Sequence, residues 1–369
     1  MVTPAAAERP FTARFVGNHA GNLTTAGNTL MTCPVAAPAC AGAQAGGNVN
    51  NNAFTMERVD VDGDATTFTS SRADLALPAG ATVLFAGLYY GARTSAGTGG
   101  VAAPAAASRG TVKLQVPGAA GYETLAAAVD DSTAIAASYV GFVDVTARVA
   151  SAGSGTYTVA DVQSGTGADR YAGWALVVAY AHPSEPARNL SVFDGLQTIG
   201  PGDAPVSISV SGFRTPPTGP VRTRVGFVAY EGDRGATGDA AALNGQTLFD
   251  ASNPANNFFN SSISQFGAPF EAKAPNYTNQ LGFDTDLFGA DGLLPNNASS
   301  ATMTISTAQF FADQYLAQVL AFATELFAPQ VQAAKAVTNV TRPGQPARPG
   351  DVPTRRRSAT PVATPRKGW

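Results

Sequence analysis

The side chains of this chain with the clearest capacity for chemistry are carboxylates. Glu231, Asp233 and Asp239 lie in YEGDRGATGD, and Asp284 and Asp286 follow in GFDTDLFGADG. Oxygen ligands converge on a hard cation when a Gly-rich loop bends back on itself, so these five residues are candidate ligands for Ca²⁺. In a lysine-poor chain, clustered carboxylates repel one another unless they are solvated or bridged by a cation. A second set, Asp60, Asp62 and Asp64 of VDVDGD, alternates around a Gly turn. It lacks the downstream bidentate Glu of an EF-hand loop, and Asp at strand-end turns also serves the backbone directly. Calcium binding and turn chemistry are both open readings for that set.

Nucleophilic catalysis has little to build on. A Ser-His-Asp or Cys-His site needs a placed histidine. The chain offers His19, read within a Gly/Asn turn, and His182, ahead of Pro183 in a loop. GxSxG, HExxH and the glycine-rich phosphate loops are absent. The expectation is a non-enzymatic protein, with paired carboxylates for glycoside cleavage as the catalytic alternative. Tyr89 and Tyr90 end the apolar run LFAGLYYG. Neighbouring strand residues face opposite ways, so one tyrosine is expected in the core and the other as a stacking platform for a sugar. Lys113, in TVKLQV, is a candidate for an isopeptide bond promoted by Glu231 or Asp144.

Cys33 and Cys40 are the only cysteines and share one Pro/Ala-rich loop, TCPVAAPACAG. A bridge there closes a small ring worth ~2.5 kcal/mol in the chain-entropy model. Two free thiols are the other reading. A zinc site is not expected, because the spacing is not CxxC and histidine is scarce.

Composition narrows the function classes. Charged residues make up 13% of the 369, against roughly 25% in ordinary soluble domains, so the surface must be covered by small neutral polar groups. A net charge of −3 speaks against nucleic acid, whose phosphates require a basic footprint. The longest apolar run, WALVVAYA from Trp174, is strand-sized and too short to span a membrane. The opening MVTPAAAERPFTARF has neither a basic nor an apolar leader region. Its Ala5-Ala6-Ala7 nevertheless resembles a signal-cleavage stretch, so a start upstream of Met1 is an expectation.

From Phe11 to about Pro329, period-2 or β-branched and aromatic runs such as TVLFAGLYYG, GFVDVTARV and QVLAFATELF alternate with Gly/Pro/Asn/Asp turns. GYETLAAAVDDSTAIAAS is the one stretch that fits either a helix or an extended loop. Many short strands without βαβ alternation predict an all-β protein of two antiparallel jelly-roll-like β-sandwiches in tandem. The expected organisation is a disordered stretch at 1–10, a first sandwich at 11–189, a second at 190–329, and a disordered C-terminal tail at 330–369. The 189 boundary rests on the two prolines of AHPSEPARN.

Several phrases in order resemble a group of secreted actinobacterial surface proteins. They are AGNTLMTCPVAAPAC, VDVDGDATTFTSSRADLALPAGATVLFAGLYYG, GFVDVTARVASAGSGTYTVADVQSGTG, RYAGWALVVAYAHPSEPARNLSVFDGLQT, VGFVAYEGDRGATGDAAALNG and FATELFAP. The resemblance covers roughly residues 10 to 330. It implies an N-terminal β-rich head, followed by repeats of a small β-sandwich called domain of unknown function 11, in adhesin-like or wall-associated molecules. Such a repeat typically opens with Lys-Xaa-Val and then Pro-Gly-Asp. Lys335-Ala336-Val337 and Pro349-Gly350-Asp351 match that opening, and the similarity then stops. Codons read one nucleotide earlier after Val352 permit Thr-Tyr-Thr-Ala-Thr-Val-Ser-Asn-Thr-Gly-Arg-Asp-Ala-Ala, the pattern the repeat requires. A single-nucleotide loss near the Val352 codon, leaving a truncated repeat in a shifted frame, is therefore expected.

Residues and resemblance together predict a non-enzymatic extracellular or cell-surface head with Ca²⁺ as its only candidate cofactor. Its partner would be a cell-wall, host or environmental glycan or protein. The alternatives are a carbohydrate-binding module of a secreted enzyme and a purely structural wall-layer component.

Overall fold

A computed structural model describes residues 8–327. The expected tail at 330–369, with its shifted repeat, and residues 1–7 lie outside the described residues. The chain is all-β, arranged as four stacked layers. Among the described residues, helices are limited to Cys40–Gln44, Thr146–Ala152 and two single 3₁₀ turns.

The two inner layers belong to one eleven-stranded sheet folded over at its central strand, Thr12–Thr29. The second half of that strand pairs with Ala172–Ala181, and beyond it come Thr82–Arg93, Ser138–Asp144 and Ala128–Asp131. The first half pairs with Ala187–Ile199, and beyond it come Tyr315–Glu325, Thr223–Tyr230, Phe283–Gly289 and Ile263–Gln265. The short connection 182–186 thus carries the chain from one inner layer to the other along a single partner strand. The expected 189/190 boundary falls inside strand Ala187–Ile199, so the two halves are joined by continuous pairing. Lys273–Ala274, from the second half, pairs with Ser70–Leu75 of the first.

Each inner layer is covered on its outer side by a smaller sheet. Ser70–Leu75, Gly155–Ala160, Thr111–Gln115 and Glu123–Ala126 cover one, and Val206–Ser211, Ser300–Ser306 and Ala240–Leu243 cover the other. The sequence pattern follows from the layering. Outer strands alternate between buried and exposed residues, as one-sided sheets do. The inner strands Ala172–Ala181 and Tyr315–Glu325 are buried on both faces and read as largely apolar runs. In Ala172–Ala181, Trp174, Leu176 and Val178 enter the first sandwich core, while Ala175, Val177 and Ala179 enter the core between the inner layers. Gly173 permits that central approach, since a Cβ there would lie 2.3 Å from the Phe283 ring. Gln318 bridges the layers by donating to the Gly141 carbonyl at 2.9 Å and accepting from the Tyr230 hydroxyl at 2.7 Å.

Three local expectations are corrected. Residues 8–10 are not a loose end: Glu8 accepts hydrogen bonds from Ser132 and Thr198, and Arg9 pairs with Asp130 and Asp194. GYETLAAAVDDSTAIAAS forms strands Glu123–Ala126 and Ala128–Asp131 rather than a helix. VGNHAGN, read as a turn, lies within strand Thr12–Thr29, where its glycines and asparagines mask the β pattern.

Cys33 and Cys40 form a disulfide with Cα atoms 5.5 Å apart, and both residues are buried. Their separation of seven residues gives Cys40→Ser an expected cost of about 2.5 kcal/mol, measurable as a lower urea midpoint at unchanged slope.

Candidate acidic centre

The five carboxylates expected as calcium ligands gather at one end of the second sandwich. Glu231, Asp233 and Asp239 lie on the segment joining strands Thr223–Tyr230 and Ala240–Leu243. Asp284 and Asp286 lie two apart on strand Phe283–Gly289 and so share a face. Phe288 continues that face and packs on Phe258, which turns both carboxylates toward the second sandwich core.

The segment 257–264, NFFNSSIS, anchors three of these acids. The Phe259 amide donates to Asp239 Oδ1 at 2.7 Å, the Ser262 amide to Asp284 Oδ1 at 2.9 Å, and the Ser264 hydroxyl to Asp286 Oδ1 at 2.6 Å. The second oxygen of each has no hydrogen-bond partner. Asp233 takes another direction. Its amide donates to Asp313 Oδ2 at 2.7 Å, and the Gln314 amide holds Asp313 Oδ1 at 2.9 Å. Asp313, which sequence reasoning missed, therefore belongs to the centre. Three non-glycine residues around it, Glu231, Ser261 and Leu281, take left-handed backbone conformations, an arrangement that surrounding contacts must hold in place.

Asp233, Asp239, Asp284, Asp286 and Asp313 are all buried. None of the ion pairs among the described residues involves them or Glu231. Burying an ionised carboxylate without a partner is costly, so the group favours its neutral form or takes a cation. Burial pushes Asp239 up to about 6 against the pull of the Phe259 and Phe258 amides. Burial and the charge of Asp169 push Asp233 to about 7, and burial and the charge of Asp233 push Asp313 to about 8. Glu231, Asp284 and Asp286 are raised as well, with burial the first cause in each. The carboxylates are close without forming one cage: no three His, Cys, Asp or Glu side chains among the described residues are grouped to hold a metal.

The other expected site residues go elsewhere. Asp60, Asp62 and Asp64 do turn chemistry: Asp62 Oδ1 accepts from the Asp64 amide, Asp64 Oδ1 from the Thr66 amide, and Asp60 from the Ser70 hydroxyl. Tyr89 and Tyr90 do face opposite ways, but both are buried, because both sides of an inner strand are covered. Neither is a stacking platform. Lys113 pairs with Asp161 at 2.8 Å rather than with Glu231 or Asp144. The His182 ring lies between the Ser184 hydroxyl and the Ala79 carbonyl, with no carboxylate to orient it.

Exposed aromatic surface appears where no sequence pattern drew attention to it. Phe310 and Phe311 stand out from the loop between strands Ser300–Ser306 and Tyr315–Glu325, just before Asp313. The adjacent pair in TAQFFADQ, set between polar residues, was the available signal.

No family model and no curated protein matches the chain. Among solved structures, the chain is similar to PNGase F, a glycosylasparaginase from Flavobacterium meningosepticum. The identity is 12% over 82% of this chain and 96% of that one, with a TM-score of 0.24. The major capsid protein P2 of bacteriophage PM2 follows at 9% identity, over 73% of this chain and 96% of that one, with a TM-score of 0.18. Both likenesses are too distant to bear on function.

Proposed function

We propose that the chain is the head of a non-enzymatic, exported surface protein, adhesin-like or wall-associated, which presents neutral loops to a glycan or protein partner. The observation that carries this reading is the buried Cys33–Cys40 disulfide, a bond that persists in oxidising, extracytoplasmic surroundings. The low charge of the surface supports it, because Ser, Thr and Asn loops offer hydrogen bonds without the field that attracts polyelectrolytes. Phe310 and Phe311 supply an apolar contact of the kind that marks partner sites on otherwise polar surfaces.

Glycan and cell-wall arrays probed with the purified protein test this. Retention of a glycan or wall fragment without release of product, and its loss in the Phe310→Ala/Phe311→Ala double variant, is the expected result. Turnover abolished by substitution of one carboxylate would instead make the chain part of a secreted glycan-cleaving enzyme. Self-association with no ligand would make it a structural wall component.

A further inference from the structure

We infer that the second sandwich contains a calcium site in which Asp239 and Asp284 are joined by amide and main-chain oxygens of the segment 257–264. The inference goes beyond the surface-protein reading and does not depend on where the protein resides.

Orientation is the first ground. Asp239 and Asp284 are each held through one oxygen by a backbone amide of this segment, at Phe259 and Ser262. Their other oxygens are left without a donor in the interior. Asn260 lies between those two amides. Its amide nitrogen donates to the Ser252 carbonyl at 2.8 Å, which leaves its Oδ1 buried and unpartnered. Asn257 is arranged likewise, donating to the Arg234 carbonyl at 3.0 Å with its Oδ1 unpartnered. Every orphaned side-chain atom on this segment and the carboxylates it anchors is an oxygen acceptor, and none is a donor. Missing water would leave donors and acceptors alike, whereas oxygens alone match a hard cation.

Approach is the second ground. The Phe259 carbonyl and Asp284 Oδ2 converge beside Gly232, where a Cβ would lie 2.3 Å from the first and 2.9 Å from the second. A main-chain oxygen and a free carboxylate oxygen therefore share one small space, which only glycine leaves open. Calcium accepts such mixed sets of carboxylate, amide and carbonyl oxygens. The site thus needs no third converging carboxylate. Asp286, anchored by Ser264 on the same face, adds negative charge from the neighbouring strand position.

The test uses the full chain after chelator treatment. Calcium is expected to raise the melting temperature and to displace bound Tb³⁺. Luminescence lifetimes in H₂O and D₂O should show at most about one water on the bound Tb³⁺, as a buried site requires. Asp239→Asn and Asp284→Asn are each expected to weaken calcium binding by at least about tenfold, because ligand charge sets affinity. Asp62→Asn, on the exposed first acidic turn, should leave binding unchanged. The inference is overturned if calcium has no effect at millimolar concentration, if the Asn variants bind as the parent does, or if Asp62→Asn alone removes binding. Should the buried variants fail to fold, the lifetime decides on the parent protein. Several waters on Tb³⁺ would place the ion at the surface and sink the proposal.

Discussion

In chelator, the folded protein is expected to lose at least about 4 kcal/mol of stability between pH 5.5 and pH 7.5. Asp233 and Asp313 supply that minimum, and the raised Asp239 and Asp286 add to it. Both are buried without a cationic partner, and their folded-state values rise to about 7 and about 8 from an ordinary 3.8. A carboxyl with a raised folded pKa binds more protons folded than unfolded, so stability is greatest at low pH and falls as pH rises through the folded value. The window therefore opens near pH 4 and closes near pH 8. The Asp233 amide contacts the Asp313 carboxylate, so the two titrate as a pair, holding close to two protons at pH 5.5 and about one at pH 7.5, which at about 1.4 kcal/mol per proton per unit gives roughly 4 kcal/mol. Asp233→Asn keeps the shape, removes one titrating group and the charge that raises Asp313, and so should make the slope shallower. Urea unfolding across that pH range measures both, and a flat wild-type profile would contradict the assignment.

Trp174→Ala is expected to cost about 3–5 kcal/mol, the range for large aromatic truncations in a packed core. Trp174 is fully buried in the core of the first sandwich, and its indole N–H donates to the Ser71 hydroxyl at 2.8 Å. The change opens a void and strands a buried hydroxyl together. For a protein of this size, the melting temperature should fall by roughly 5 °C. Trp174→Phe fills most of the void and loses only the hydrogen bond, so it should recover more than half of the deficit. A Trp174→Ala protein melting within about 2 °C of the parent would mean that the inner layer is not sealed as described.

The β class was legible because period-2 runs between turn residues permit little else, and the outer strands show that alternation in their burial. The inner layers were harder to read. WALVVAYA and QVLAFATELF were recognisable as strands, but an apolar run does not state which faces are covered or by what. That is why the sequence predicts one platform between Tyr89 and Tyr90, and why its boundary at 189 lies within a strand that continues the inner pairing. The acidic centre was legible in part. Glycine-rich context drew attention to Glu231, Asp233, Asp239, Asp284 and Asp286, whereas Asp313 reaches them only through the return of a distant strand. Asn257 and Asn260 were invisible for a different reason. Amide side chains are common in loops, and only burial without a partner distinguishes these two.

The surface-protein reading is tested most directly on cells that produce the protein natively. Intact cells are digested at their surface with free thiols blocked, and the released peptides are measured by mass spectrometry without reduction. The account predicts peptides from within residues 8–327 in the released fraction, with the Cys33–Cys40 segment unblocked and two hydrogens lighter than its reduced form. Peptides recovered only after lysis, with both cysteines carrying the blocking group, would contradict it.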